Sequence, residues 1–208
     1  MREPEPPVAG LCLVTDRHAT RGRDLVAVVG DCLGAGLQMI QVREKDLPRP
    51  ELLELGRRLR EITRGRARLF INADLDVARE VGADGIHLPQ EKIKLAPHAT
   101  GLAVGVSVHD APSALEGERV GARFLIFGPV YDTPSKRQYG PPQGLDALAK
   151  ITAAVRIPVL AIGGITPERV ADVRSAGAAG VGVISAILSA DAPADAVRRF
   201  LDALASTR

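Results

Sequence analysis

Short apolar runs and longer amphipathic stretches alternate from residue 11 almost to the C-terminus. The runs LCLVT (11–15), LQMIQVR (37–43), RLFIN (68–72), DGIHL (84–88), LAVGVSV (102–108), RFLIF (123–127), IPVLAIG (157–163) and AGVGVI (179–184) are continuous in polarity rather than alternating. Strands covered on both faces, as in a parallel sheet, read this way. Between them the apolar spacing predicts helices over 24–34, 49–63, 75–81, 110–120, 145–155, 167–176 and 192–205. Thr166-Pro167-Glu168 has a capping residue before a proline at the first helical position. Gly-Ala pairs at VGAD (81–84), VGAR (120–123) and AGAA (176–179) suit left-handed helix ends. Eight such beats predict an α/β fold, a single-domain (β/α)8 TIM barrel over 1–208 with residues 1–9 as a flexible N-terminal tail. A doubly wound open sheet shares the alternation, which by itself does not show whether the sheet closes; the count favours the barrel.

Composition narrows the chemistry. Apolar residues make up 46% of the chain but aromatics only 3%, so the core is expected to be aliphatic. Lys plus Arg number 27 and Asp plus Glu 25, a near balance that argues against a nucleic-acid or membrane partner. Arg57, Arg58 and Arg60 share a predicted helix with Glu51, Glu54 and Glu61 and read as one solvated face. The opening MREPEPPVAG lacks the apolar core of a signal peptide, and no run approaches the ~18 apolar residues of a membrane span. Cys12 and Cys32 have no metal or CxxC spacing and are expected to be buried free thiols. A cytoplasmic protein is the expectation, and the sequence leaves open whether copies assemble into a homo-oligomer.

In a barrel of this kind the chemistry lies in the turns after the strands. After the second strand, QVREKD places Gln41, Arg43 and Lys45 where they suit a phosphate or pyrophosphate; the plainer reading is a strand end closed by Arg43–Glu44 or Lys45–Asp46 pairs. Gly163 and Gly164 follow the seventh strand, and Ile184 and Ser185 lie at the end of the eighth. Turns in those two places commonly hold phosphate, although a glycine pair is often only a tight turn. The segment GPVYDTPSKRQYGPPQG (128–144) contains Thr133, Ser135 and Lys136 and reads as an active-site lid or a plain surface insertion. After the fifth strand come Ser107 and His109; a histidine can take and give a proton near neutrality.

Taken together, QVREKD, FINAD, GADGIHLPQE, GVSVHD, FGPVYDTPSK, GLDAL, IPVLAIGGIT and AGAAGVGVISAI resemble the thiamine phosphate synthase and thiazole tautomerase superfamily, in order over residues 11–188. The resemblance implies a (β/α)8 barrel whose small-molecule partner is a phosphorylated thiazole. In the synthase branch it implies that Gln41, Arg43, Lys45, Asn72 and Lys136 hold an aminopyrimidine pyrophosphate, with Ser107 near the pyrimidine. Thr133 and Ser135 would line the thiazole site, and Gly164, Ile184 and Ser185, with Gly163 beside them, would hold the thiazole phosphate.

One departure bears on the branch. Synthases resembling this chain carry metal-binding carboxylates after strands 3 and 4, where this sequence has Ala73 and Lys92. Magnesium requires oxygen ligands, and Asp74 or Glu91 would have to replace the missing ones. The first expectation is therefore a cofactor-free tautomerase, in which His109 shifts a proton to convert thiazole carboxylate phosphate to its aromatic form. The alternative is a thiamine phosphate synthase, with magnesium implied. The third reading is a non-catalytic regulator that binds a phosphorylated ligand and presents an exposed apolar patch to a partner.

Overall fold

A computed structural model describes residues 10–134, 137 and 140–207. The proposed tail at 1–9 lies outside the described residues, as do Ser135 and Lys136. Eight parallel strands close on themselves in chain order: β1 (Gly10–Val14), β2 (Met39–Val42), β3 (Arg68–Asn72), β4 (Gly85–Leu88), β5 (Ala103–Val108), β6 (Phe124–Phe127), β7 (Val159–Ile162) and β8 (Gly180–Val183). Closure comes from β8 pairing with β1, Gly180 beside Gly10 through Val183 beside Leu13. This settles the barrel against the open sheet.

Helices α1 (Leu25–Gly34), α2 (Arg49–Thr63), α3 (Leu75–Val81), α4 (Ala111–Arg119), α5 (Gly144–Ala154), α6 (Val170–Ser175), α7 (Ser185–Leu188) and α8 (Pro193–Ala205) complete the α/β order. The beat after β4 is a 3-10 segment, Gln90–His98, with Pro97 inside it. The helix expected over 167–176 begins as a 3-10 turn at Pro167–Arg169. Thr166 occupies the expected N-cap position, yet its side chain makes no capping bond to the helix backbone. The Glu168 carboxyl is held below its usual range, first by its own backbone N–H and then by the nearby Thr166 hydroxyl. The expected left-handed glycine cap is present after α3, where Gly82 has φ 66°.

Two apolar layers form. The larger packs the helices onto the outer face of the barrel, and the smaller, built on Cys12, Val14, Met39, Phe70, Phe124, Ile126 and Leu160, fills its interior. Phe70 and Phe124 meet edge to face with centroids 5.2 Å apart. Room for them comes from Gly85 and Gly105: a Cβ there would lie 2.3 Å from the Phe70 ring and 2.2 Å from the Phe124 ring. A chain poor in aromatics thus fills its barrel with two rings, placed where neighbouring strands carry no side chain. Cys12 and Cys32 are buried free thiols as expected, and burial pushes both up to about 12.

Candidate active site

Side chains along a strand alternate between the two faces of a sheet. On β2 to β5 the interior positions nearest the C-terminal mouth are polar: Gln41, Asn72, His87 and Ser107. The opposite arc is apolar, with Val14 and Ile126 in the interior cluster and Ile162 and Ile184 packed against it. One side of the mouth can therefore take a polar, hydrogen-bonding ligand while the other offers hydrocarbon.

The polar arc is internally connected. The Gln41 Nε2 group donates to Asn72 Oδ1 at 3.1 Å. Among the described residues that bond leaves the Asn72 amide hydrogens and the Gln41 carbonyl oxygen without a side-chain partner. His87 Nε2 lies 2.8 Å from Ser107 Oγ. The His87 ring is 1% exposed, and burial, helped by the nearby Arg43 charge, lowers its pKa to about 3. His87 lies in step with Gly85 on the inward face of β4, and a histidine inside an apolar run carries no sign of its partner.

Around QVREKD the acidic residues do not neutralise the adjacent cations. Glu44 is buried and accepts from the Arg17 backbone N–H at 3.0 Å and from the Arg17 guanidinium at 3.3 Å. Asp46 receives both terminal nitrogens of Arg17 at 2.6 Å and faces His18 Nε2 at 3.0 Å. These bonds to Arg17 and His18 hold the Asp46 carboxyl well below the usual carboxylate range. The pairs expected from adjacency, Arg43–Glu44 and Lys45–Asp46, are absent: the turn from β1 reaches across and takes both acids. Among the described residues the side chains of Arg43 and Lys45 have no acidic partner within ion-pair distance. The Arg43 backbone is tied down by its N–H donating to Thr15 Oγ1 at 2.9 Å.

Ala73 and Lys92 do come together. Ala73 adopts φ 64°, a left-handed conformation that asparagine and aspartate tolerate better than alanine. Its N–H donates to the His87 carbonyl at 2.9 Å, and the Lys92 ammonium reaches the Ala73 carbonyl at 3.5 Å. Neither neighbouring carboxylate is turned to this spot by its contacts. Asp74 caps α3, accepting from the Val77 N–H at 2.9 Å, and its other oxygen lies 3.9 Å from Arg49. Glu91 is exposed on the 3-10 segment. No group of three His, Cys, Asp or Glu side chains able to hold a metal occurs among the described residues.

His109 lies at the end of β5, exposed, with Nδ1 2.9 Å from the Gly128 carbonyl. A carbonyl only accepts, so in the neutral ring Nδ1 carries the proton and Nε2 keeps its lone pair. Gln90 and Gln143 brace the same residue, one accepting from its backbone N–H and the other donating to its carbonyl, each at 3.1 Å. Neither glutamine stood out in the sequence as a support.

The turn after β7 is shaped by close approach. Gly163 and Gly164 have φ 98° and 63°, and added Cβ atoms would lie 2.5 Å from Pro129 and 2.6 Å from the Asp132 carbonyl. The segment after β6 therefore packs directly on this turn, with Thr133 half-buried beside it in sequence. Arg169 donates to the Gly164 carbonyl at 2.6 Å and stacks 4.4 Å from the centre of the Tyr131 ring. Ser185 opens α7, and Ile184 precedes it with φ −119° and ψ −90°.

The profile of a family described as thiamine monophosphate synthase matches residues 11–187. A putative thiamine-phosphate synthase of Geobacter sulfurreducens is 46% identical over 196 residues, covering 92% of each chain. The thiamine-phosphate synthase of Moorella thermoacetica is 44% identical over 193 residues, covering 90% of this chain and 91% of that one. Among solved structures, a thiamine phosphate pyrophosphorylase from Pyrococcus furiosus superposes with a TM-score of 0.85 at 34% identity, covering 96% of both chains. The family model and the two sequence relatives carry synthase names, which fits the alternative reading of the sequence better than the tautomerase expected from Ala73, Lys92 and His109.

Proposed function

Because the chain belongs to the thiamine monophosphate synthase family, we propose that it is a transferase of thiamine biosynthesis, joining an aminopyrimidine pyrophosphate to a phosphorylated thiazole. A carbon–nitrogen bond forms to the thiazole ring nitrogen, and the carbon–oxygen bond to pyrophosphate breaks. The observation that carries this reading is the pair of cations at the end of β2. Arg17 and His18 hold Glu44 and Asp46, so Arg43 and Lys45 keep their charge for a ligand. Fixed cations and the Asn72 amide stabilise a leaving group whose negative charge grows as the bond breaks. A tautomerase acting on a single phosphate has less use for this array.

Magnesium fits poorly with the side chains present. It takes one or two carboxylates with substrate phosphates. Ala73 offers none, Lys92 brings a positive charge to the same place, and Asp74 is committed to its helix cap. No step is assigned to the ion, and the charge of departing pyrophosphate falls to Arg43, Lys45 and Lys92. The turns after β7 and β8, with Gly163, Gly164, Ile184 and Ser185, hold the thiazole phosphate in this reading. Thr133 flanks it, and Ser135 and Lys136 remain candidates from the same segment.

The tautomerase remains the second reading, favoured by His109. Its fixed Nδ1–H leaves Nε2 as a base without a partner among the described residues. The regulator reading has less support: Leu115 is the one large hydrophobic side chain found exposed among the described residues, and one leucine makes no docking patch.

The test is incubation with aminopyrimidine pyrophosphate and thiazole phosphate. Thiamine phosphate and pyrophosphate should appear in equal amounts. If a folded protein forms neither, yet aromatises thiazole carboxylate phosphate and loses that activity in His109→Asn, the tautomerase reading replaces this one.

A further inference from the structure

The pair formed by His87 and Ser107 is built more firmly than the rest of the mouth. The imidazole is enclosed by the barrel, tilted against Phe124 with centroids 5.7 Å apart. A Cβ on Gly105 would stand 2.8 Å from His87 Nδ1, so the glycine makes room for this ring as well as for Phe124. Among the described residues Ser107 Oγ is the ring's one hydrogen-bond partner, and Nδ1 is buried with none.

Those contacts fix where the proton sits. A proton on Nδ1 would be a buried N–H with no acceptor, a rarer and costlier arrangement than an under-used lone pair. A second proton would place an unpaired charge in the barrel, close to Arg43. The remaining state has the proton on Nε2, donated to Ser107 Oγ. A serine oxygen that accepts from the barrel has its own hydrogen left to give.

We propose that His87 is a positioning residue that holds the Ser107 hydroxyl as a hydrogen-bond donor at the mouth. Resting on the transferase reading, Ser107 then selects a ring that presents a bare, accepting nitrogen, as an aminopyrimidine does, over one that presents an N–H at that place. The thiazole phosphate side of the site is independent of this bond.

Two measurements test it. Nitrogen NMR on the unaltered protein should find His87 protonated on Nε2 and bare on Nδ1 from pH 5 to 8; protonation on Nδ1, or an imidazolium within that range, overturns the proposal. Kinetics of His87→Gln and His87→Leu supply the second. Gln can return an N–H near the Nε2 position and should stay within about threefold of the parent. Leu should raise KM for aminopyrimidine pyrophosphate about tenfold, with kcat and KM for thiazole phosphate nearly unchanged. Equal effects on both substrates would mean a merely structural histidine and would overturn the positioning role. Unaltered protein that binds thiazole phosphate but no aminopyrimidine overturns the selection by Ser107 and the transferase reading together, whereas the NMR result bears on His87 alone.

Discussion

At the scale of single residues, His87 makes the stability of the fold depend on pH. Its folded pKa, near 3, lies below the ordinary value of 6.5. Between those values the unfolded chain takes up a proton that the folded chain refuses. This contribution is therefore complete above about pH 6.5 and declines on acidification, by about 1.4 kcal/mol per pH unit. Asp46 has its pKa lowered, so its part is lost only below about pH 4, as pH falls towards its folded value. Urea unfolding between pH 6.5 and 4.5 should show the steeper loss in the parent and a shallower one in His87→Gln; parallel slopes would contradict the buried neutral ring. Among these residues the sequence placed Gln41, Asn72, Ser107 and His109 at the correct strand ends, because strand period and position suffice for that. It did not reveal that Arg17 takes both acids of QVREKD or that His87 meets Ser107, since both contacts join residues distant in sequence.

At the scale of elements, the arginine-rich helix α2 is less uniform than its composition suggests. Arg57 and Arg58 are exposed, as expected, whereas Arg60 is 7% exposed and donates to Asp84 at 2.7 Å. The same Asp84 oxygen accepts the Leu69 N–H at 2.7 Å, so one carboxylate joins α2 to the starts of β3 and β4. Asp84→Ala should cost about 2–3 kcal/mol in chemical denaturation, because it strands a buried guanidinium while Asp84 itself is partly solvated. Asp24→Ala, aimed at the exposed Arg58 pair, should lose about 1 kcal/mol, chiefly the helix cap. Equal losses would undo this distinction. In the turn after β7, Gly164→Ala meets both a left-handed backbone and the Asp132 carbonyl. It should weaken thiazole phosphate binding at least tenfold in calorimetry; unchanged affinity would remove this turn from the phosphate site. Strands and most helices were legible because each has its own period. The beat after β4 was harder to read, since Pro97 interrupts the segment and a 3-10 form replaces a regular helix.

At the scale of the whole molecule, closing eight strands brings a polar arc on β2 to β5 opposite an apolar arc on β6 to β1. Two cations lie beside the polar arc: Arg43, whose charge acts on His87, and Lys92, which reaches the Ala73 carbonyl. No helix among the described residues is long and apolar enough to cross a membrane. The sequence marked Ala73 and Lys92 as a break from the synthase pattern, and the fold brings them together, with the lysine resting on the alanine carbonyl. Sequence alone weighted that break towards tautomerisation; the relatives and the freed cations weight it towards group transfer with charge supplied by the protein. The most direct test is the rate of thiamine phosphate formation from the two substrates in excess EDTA, beside the rate in magnesium. The account predicts substantial turnover in EDTA that falls at least tenfold in Lys92→Ala. Absence of thiamine phosphate under both conditions, or activity that vanishes in EDTA and returns fully with magnesium, would contradict it.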